Sequence, residues 1–389
     1  MRRFVAWWIV VVMVAAICAT TGAPAAGQSS ERLVLAFYYT WFDEHSWDPT
    51  RLPDLPHEPY VSRDRAVMAR HIEQAKTAGI DAFVVSWYGP RVENNQTETN
   101  FRVMLDEAAA RGFRLALDVE VTSPFFGGPA DVQAALQALL ATHARHPAYL
   151  KVDGRPVIFF WRQQRFDLGT WSGIRAATDP GRNSLWIEEG VDVSMLGVFD
   201  GHHLYKVIWN PPTDLAYTAN KFARLVRNAA ANLGMPKIYV ATAMPGWDDR
   251  KLGRGDSFGI GREDGAVYER SWRAAIGSAP DWVIITSFNE WPEGTYIEPS
   301  RAYGNRYLEL TARWSAAFKS GAAPTAPAIA AQAVPIVRPT PTPAPIPTPT
   351  PSRRGWDARP FDLKRMLLEK WGGAVDLSSP APGDEGGPK

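Results

Sequence analysis

The sequence is poor in cysteine, in net charge and in glycine-rich phosphate-binding motifs. Its one cysteine, Cys18, lies in an apolar N-terminal run that we expect the mature chain to lose, which excludes disulfides, cysteine nucleophiles and thiolate–metal sites. A formal net charge of +1 gives no electrostatic argument for nucleic-acid binding. Neither G-x-G-x-x-G nor a P-loop occurs. The one G-x-S-x-G match, at residues 255–259, lies too far from any predicted strand end to form the elbow of serine hydrolases. We therefore expect a function that uses no cofactor.

The N-terminus has the pattern of an export signal over residues 1–26. Arg2 and Arg3 precede an apolar run at 4–18, and residues 23–25 form a small-residue cleavage region. The apolar run is shorter than the roughly 20 residues that a spanning helix needs, although small uncharged residues follow it. We predict a secreted or extracytoplasmic protein, with an uncleaved membrane anchor as the alternative.

The C-terminal part changes composition abruptly. Residues 322–352 are rich in Pro, Thr and Ala, which predicts an extended linker that cannot pack a core. Residues 353–389 form a tail in which 356–371 has the pattern of one short amphipathic helix, too short to stand as a domain. The tail's role stays open between docking on the domain, binding a partner and attachment to a membrane or cell surface.

Between residues 33 and 318, apolar runs typical of buried strands alternate with helical patterns. The predicted strands are 33–39, 81–86, 114–119, 156–161, 185–187, 196–199, 237–243 and 282–286. The predicted helices are 67–78, 98–111, 131–145, 216–233, 264–276 and 303–318. Such alternation implies parallel strands with right-handed crossovers. The fold class is therefore α/β, and the size favours a (β/α)8 TIM barrel of about 250 residues over a doubly wound open sheet.

Aromatic and charged residues follow most of the predicted strands. In a barrel these carboxyl ends meet at one face, where active sites form. The 16 Trp residues weakly favour a carbohydrate ligand, because indole packs well on the apolar faces of sugar rings. The strand-end residues are Tyr39, Trp41, Trp87, Tyr88, Asp118, Glu120, Trp161, Asp200, His203, Tyr205, Trp247, Asp249, Arg250, Asn289, Glu290 and Glu293. Asp200 and the adjacent histidines offer too few ligands for a metal site, and we expect none.

Two carboxylates stand out after the last predicted strand. Glu290 and Glu293 lie three residues apart in a loop with Asn289 and Trp291. Paired carboxylates in a partly buried site can take different pKa values, so that one acts as an acid and the other as a base, as glycosidases require. Two exposed loop glutamates are the structural alternative. The glycine-rich stretch at 253–261 is interpreted as a surface loop, and His71 as a packed residue on a helix face.

Five motifs together resemble glycoside hydrolase family 99 and its bacterial family-99-like relatives. They are FYYTWF at 37–42, HIEQAKTAGIDAFVVSWYG at 71–89, FDGHHLY at 199–205, MPGWDDR at 244–250 and SFNEWPEGTYIEP at 287–299. The resemblance covers residues 33–317, and it implies a (β/α)8 barrel with endo-α-mannosidase or endo-α-1,2-mannanase activity. The loop after the first strand and the DVEV ending of the third differ from the family pattern, which leaves the sugar open.

The resemblance also implies roles for individual residues. Family enzymes retain anomeric configuration through a 1,2-anhydro sugar, and Glu290 matches the base that takes the 2-hydroxyl proton. Glu293 matches the acid that protonates the leaving oxygen and then activates water. The predicted substrate-binding residues are Tyr39, Trp41, Trp87, Tyr88, Glu120, Tyr205, Trp247, Arg250, Asn289 and Trp291. We expect Asn289 and Arg250 to hold Glu290 ionised.

The sequence thus predicts an exported, monomeric endo-acting glycoside hydrolase with an oligo- or polysaccharide substrate. A non-catalytic carbohydrate-binding barrel is the first alternative, because aromatic strand ends fit it equally well. A barrel glycosidase of different specificity is the second. In the large clan of retaining barrel glycosidases, Asn-Glu follows strand four and a nucleophilic Glu follows strand seven. This chain does not have that order.

Overall fold

In the computed structural model, which describes residues 31–321, the centre of the molecule is a closed ring of eight parallel strands. The strands are β1 (Val34–Tyr38), β2 (Ala82–Trp87), β3 (Arg114–Glu120), β4 (Arg155–Trp161), β5 (Leu185–Glu189), β6 (Gly201–His203), β7 (Ile238–Ala243) and β8 (Trp282–Ile285). Each strand pairs in parallel with the next, and β1 pairs with both β2 and β8. The predicted TIM barrel is confirmed. The predicted export signal, linker and C-terminal tail lie outside the described residues.

Helices surround the ring and return the chain to its amino-terminal face. They are α1 (Arg65–Thr77), α2 (Gln96–Ala110), α3 (Pro129–Ala141), α4 (Leu168–Thr178), α5 (Leu215–Leu233), α6 (Ala266–Gly277) and α7 (Arg306–Ser320). An aspartate side chain caps the first turn of α1, α4 and α5, because Asp64, Asp167 and Asp214 each accept a backbone N–H there. Across residues 31–321, no helix has the length and apolarity to span a membrane.

The core has two layers, inside the barrel and between barrel and helices. Phe37 and Phe159 lie inside, with ring centroids 6.2 Å apart. Val85 and Leu117, from strand positions of the other parity, belong with Met104 of α2 to the outer layer. Because both faces of each strand are buried, the strands are almost continuously apolar.

The predicted sixth strand is wrong in position. Residues 194–197 form a 3-10 turn, and the strand begins only at Gly201. This turn takes the place of a helix between β5 and β6. The sequence pattern does not predict α4, because its Gly and Thr residues weaken the helical pattern.

Asp200 consequently lies before β6, at the amino-terminal end of the ring. Its carboxylate accepts from Arg175 and Arg182 at 3.0 Å each, and from the Trp186 backbone N–H at 3.0 Å. Asp200 is therefore part of a structural ion cluster on the face opposite the strand ends, which corrects its prediction as a strand-end site residue.

A short antiparallel ribbon follows β7 at the other face. Trp247–Asp248 pairs with Gly259–Ile260, so residues 253–261 belong to a structured hairpin. The stretch lies at the surface as expected, but residues 259–260 pair in the ribbon, and Arg254 reaches to 3.9 Å from Glu293.

Candidate active site

Glu290 and Glu293 occupy one tight turn at the carboxyl end of β8. The Thr295 N–H donates to the Glu290 carbonyl at 3.3 Å, and the Gly294 N–H donates to the Trp291 carbonyl at 3.1 Å. Both glutamates have 0% of their surface exposed. The alternative of two solvent-facing loop glutamates is therefore wrong.

Gly294 allows this turn to pack against the hairpin. Its φ is +62°, a conformation that favours glycine, and a Cβ there would lie 3.1 Å from the Asp248 backbone nitrogen. That nitrogen donates to the Glu293 carbonyl at 2.8 Å. The close approach fixes the backbone of Glu293 on the hairpin that carries Arg254.

Two tyrosines form a hydrogen-bonded chain that ends on Glu293. The Tyr205 hydroxyl donates to Glu293 Oε2 at 2.9 Å, and the Tyr39 hydroxyl donates to that of Tyr205 at 3.0 Å. Burial raises the pKa of both tyrosines well above its usual value, and the carboxylates of Glu290 and Glu293 raise it further. Both tyrosines therefore stay protonated as donors, and both carboxylates act on the same pair.

The arginine beside the carboxylates is Arg254, which the sequence analysis did not single out. Its Nη2 lies 3.9 Å from Glu293 Oε1, and it also pairs with Asp249. Arg250 instead pairs with Asp248 at 2.8 Å and has 66% of its side chain exposed. The expectation that Arg250 holds Glu290 ionised is corrected, because the hairpin turns Arg250 toward a separate cavity of about 310 Å³.

Asn289 braces the turn from behind. Its Oδ1 accepts from the Tyr39 backbone N–H at 2.8 Å, and its Nδ2 donates to the Tyr39 carbonyl at 2.9 Å and to the Tyr60 hydroxyl at 3.2 Å. These bonds occupy the amide, so Asn289 joins β8 to β1. The structure places it as a positioning residue, whereas we expected it to bind substrate.

Glu298 is the centre of a buried network behind Asn289. Its Oε2 accepts from the Tyr60 hydroxyl at 3.0 Å and from Trp291 Nε1 at 3.1 Å, while its Oε1 lies 3.0 Å from His71 Nε2. The Trp291 ring is fully buried against Tyr296, with centroids 3.9 Å apart. Trp291 thus supports the turn and does not line the cleft, which corrects its prediction as a substrate-binding residue.

The environment of His71 also differs from the expected packing role. Its Nδ1 lies 2.9 Å from the Tyr38 hydroxyl, so both ring nitrogens face polar atoms. A helix outside the barrel is thereby connected, through Glu298 and Tyr60, to the turn that carries the two glutamates.

We expect Glu298→Gln to lower kcat about tenfold with little change in KM, because the amide removes one acceptor behind the turn and a small displacement of a catalytic group is costly. Steady-state kinetics on an α-mannoside that the enzyme cleaves measures the changes in kcat and KM separately. Glu44→Gln, which removes a carboxylate from an exposed ion pair with Arg63, is the matched control. An unchanged kcat, or a proportionate rise in KM alone, would contradict the positioning role.

Trp87 does not line the cleft. Its indole N–H donates to Glu98 of α2 at 2.6 Å, and its ring lies in the outer core layer. The neighbouring Ser86 points inward and donates to Glu120 Oε1 at 2.6 Å. Successive side chains of β2 point to opposite faces, so Trp87 lies outside the ring, which corrects its prediction as a substrate-binding residue. Glu120, which contacts Ser86, lies inside the ring.

The other predicted aromatic residues gather at the mouth of the ring. Trp41 packs against Tyr39 and Tyr88, with centroid distances of 4.5 and 6.2 Å. Trp247 lies with Tyr205 and Trp161 on a cavity of about 600 Å³ above β4 to β7. Aromatic rings therefore pack against both tyrosines of the pair, Trp41 on Tyr39 and Trp161 on Tyr205.

The same cavity contains charged residues that the sequence analysis missed, namely Arg162, Glu189 and Lys206. Glu189 is the last residue of β5, and Lys206 follows β6. Their positions at strand ends could have identified them if β6 had been placed correctly. Arg162 follows β4 directly, in a left-handed conformation with φ 59°.

No three His, Cys, Asp or Glu side chains within residues 31–321 are arranged to hold a metal ion. Burial lowers the pKa of His202 to about 4 and that of His203 to about 3. His203 packs inside the barrel between Phe37 and Phe159, with centroids 5.4 and 5.3 Å away. Both histidines are therefore neutral core residues near pH 7.

Similar proteins are found both by sequence and by fold. The chain is 26% identical over 352 residues to the human glycoprotein endo-alpha-1,2-mannosidase-like protein, covering 73% of this chain and 75% of that protein. It is 26% identical over 294 residues to the glycoprotein endo-alpha-1,2-mannosidase of Xenopus laevis, covering 66% and 63%. Its fold matches the GH99 endo-alpha-mannosidase of Bacteroides thetaiotaomicron with a TM-score of 0.65 and 26% identity, covering 75% and 98%.

The family model for glycosyl hydrolase family 99 matches residues 50–319. This segment spans most of the barrel, and it includes the turn with both glutamates, Tyr205 and the hairpin. The chain therefore belongs to glycosyl hydrolase family 99 and is an endo-alpha-mannosidase-like glycoside hydrolase.

Proposed function

We propose that this protein is an exported, endo-acting, retaining glycoside hydrolase that cleaves α-mannoside linkages in a glycan or polysaccharide. The observation that carries the proposal is the burial of Glu290 and Glu293 in one turn at the barrel mouth, with both carboxylates acting on the Tyr39–Tyr205 pair. The three relatives compared above are named as endo-alpha-mannosidases or as proteins like them, which supports the linkage class.

In the proposed first step, Glu290 takes the proton of the sugar's 2-hydroxyl. That oxygen attacks the anomeric carbon, the bond from the carbon to the leaving oxygen breaks, and Glu293 gives its proton to the leaving oxygen. The products are a 1,2-anhydro sugar and the released saccharide, with Glu290 protonated and Glu293 ionised. General acid–base transfer of this kind contributes about 10²–10⁴ in rate for each group.

In the second step the roles reverse. Glu293 takes a proton from water, the water oxygen attacks the anomeric carbon, and the ring bond to the 2-oxygen breaks. Glu290 returns its proton to the 2-oxygen, which restores both carboxyl groups. Two displacements at one carbon retain the anomeric configuration. The Tyr205 hydroxyl, which donates to Glu293 Oε2, stabilises the carboxylate that exists between the steps.

The export part of the proposal is supported by the N-terminal sequence alone. Arg2 and Arg3, the apolar run at 4–18 and the small residues at 23–25 have the order of a cleavable signal. An extracytoplasmic enzyme would meet polysaccharides outside the cell, which fits an endo-acting cleft.

A glycan panel with resolved products tests the proposal. The full chain is incubated with α-1,2-, α-1,3- and α-1,6-mannans and with mammalian-type N-glycans, and products are separated by size. We expect release of oligosaccharides from at least one α-mannoside, since both glutamates lie in one turn at the carboxyl end of β8. Binding to these glycans without any product would favour the non-catalytic barrel instead, and cleavage of only other linkages would contradict the α-mannoside assignment.

A further inference from the structure

A second cavity adjoins the one above β4 to β7. It has a volume of about 510 Å³ and lies between the loop after β6, the first turn of α5 and one face of α6. Trp209, in that loop, lines this cavity and also the cavity of about 600 Å³ that contains Tyr205 and Arg254. We call the second cavity the distal groove, and it borders the cavity beside Glu293 at Trp209.

Trp209 has part of its indole ring exposed to solvent. Every other tryptophan within residues 31–321 is buried except Trp47, which stacks on Phe42 with ring centroids 4.9 Å apart. Trp209 packs partly against buried core residues, and within residues 31–321 it makes no ring contact and no side-chain hydrogen bond. The rest of its ring is therefore available to a ligand.

The backbone next to Trp209 is restricted by proline. Pro211 and Pro212 come two and three residues after it, and a proline limits both its own φ and the conformations of the residue before it. A ring carried on a restricted loop loses less conformational entropy when a ligand packs on it. The loop therefore favours binding at Trp209.

The distal groove combines an apolar floor with a polar rim. The floor is formed by Val207, Ile208, Leu215 and Val267. On the rim, the Asp214 carboxylate accepts from the Tyr217 backbone N–H at 2.7 Å, and the half-exposed Arg270 pairs with Glu263 at 2.8 Å. Both rim groups have further hydrogen-bonding positions. A sugar ring has C–H faces and hydroxyl edges, so it can use the floor and the rim together.

We propose that the distal groove is a subsite for the same glycan chain that the candidate active site cleaves, with a sugar ring stacked on Trp209. The proposal rests on the proposed function and names its substrate class more closely, as long α-mannoside chains in preference to short ones. The shared wall at Trp209 favours this occupant, because a chain that leaves the cavity beside Glu293 across Trp209 reaches the groove next. Both volumes lie within the roughly 300–1,000 Å³ of small-molecule sites.

Binding as a function of chain length tests the subsite without relying on turnover. The full chain carrying Glu293→Gln is titrated calorimetrically with α-mannan oligosaccharides of increasing length, from the disaccharide upward. Their linkage is the one that the wild type cleaves or, if it cleaves none, α-1,2. We expect the affinity to rise about tenfold once the chain is long enough to reach Trp209, the scale of one aromatic stacking contact.

Three variants on the same background assign this rise to the groove. Trp209→Ala is expected to remove the preference for long chains, and Trp209→Tyr is expected to restore most of it, because tyrosine keeps an aromatic face. Arg270→Gln changes an exposed rim group and leaves the core intact, and it is expected to weaken long-chain binding about fivefold. Leu233→Ala is the matched control, since it removes an exposed apolar side chain at the other end of α5, and it should keep the full preference.

Equal affinity for short and long chains, no binding of long chains, or a length preference that Trp209→Ala leaves unchanged would overturn the subsite. A dimer of the wild type that Trp209→Ala dissociates would assign the groove to a second copy of the chain. Binding of a peptide of residues 356–371 to the wild type but not to Trp209→Ala would assign it to the chain's own tail, and either result would overturn the subsite. Length-dependent binding without hydrolysis of any α-mannoside by the wild type would instead refute the proposed function alone.

Discussion

Glu293→Gln is expected to lower kcat/KM on the α-mannoside substrate about 10³-fold, because it removes the proton donor of the first step and the base of the second. An aryl α-mannoside-type substrate with a good leaving group separates these roles. The departure of such a leaving group needs little protonation, so the variant is expected to give a burst of phenol followed by slow turnover. Stopped-flow absorbance at the phenolate wavelength measures both phases.

The fold is expected to survive this substitution, since glutamine has the same shape and its carbonyl oxygen can accept from Tyr205. Thermal unfolding checks this point. Glu309→Gln on the exposed face of α7 is the matched control and should retain full activity. Turnover of the α-mannan by Glu293→Gln at the wild-type rate would end its assignment as the acid and base.

Glu290→Gln is expected to cost a similar factor, about 10³ in kcat/KM, but with a different dependence on the leaving group. In the proposed mechanism Glu290 activates the 2-hydroxyl, so without its carboxylate the attacking oxygen stays a poor nucleophile whichever group leaves. The aryl substrate is therefore expected to show no burst with this variant. The same stopped-flow measurement compares the two variants.

A substrate with a 2-deoxy sugar at the cleaved position gives the control for Glu290. It lacks the attacking oxygen, so it is expected to be inert with the wild type and the variant alike. A burst from Glu290→Gln equal to that from Glu293→Gln would contradict the division of roles, and rapid cleavage of the 2-deoxy substrate would contradict the participation of the 2-hydroxyl.

The position of the turn that carries Glu290 and Glu293 was predictable from the sequence. An apolar, β-branched run at 282–285 marks a buried strand, and the polar cluster directly after it must then lie at a strand end. A turn at Gly294 was predictable, because glycine is common in turns. The packing of Gly294 on Asp248 was not predictable, because that contact joins two loops far apart in sequence.

The inward or outward direction of a side chain was not predictable in the same way. In β2, Ser86 faces Glu120 inside the ring and Trp87 faces Glu98 outside. Strands buried on both faces have no alternation of polar and apolar residues, and a shift of one residue exchanges the two faces. Trp87 therefore looked equally suited to the cleft.

The prediction of Arg250, instead of Arg254, as the arginine beside the glutamates failed for a related reason. Both arginines lie in one hairpin, and only the pairing of Trp247–Asp248 with Gly259–Ile260 decides which one turns toward Glu293. Strands of two residues carry too little pattern to be recognised. The late start of β6 was not predictable either. It depends on the ion pairs of Asp200 with Arg175 and Arg182, which the local sequence does not indicate.

The anomeric configuration of the first product tests most directly whether Glu290 and Glu293 act on one sugar by the proposed route. A ¹H NMR time course of α-mannan hydrolysis by the wild-type chain shows which anomer forms before mutarotation. Two successive displacements at one carbon predict that the new reducing end appears first as the α anomer. Initial formation of the β anomer would mean that water attacks directly in a single step, and it would contradict the anhydro-sugar mechanism.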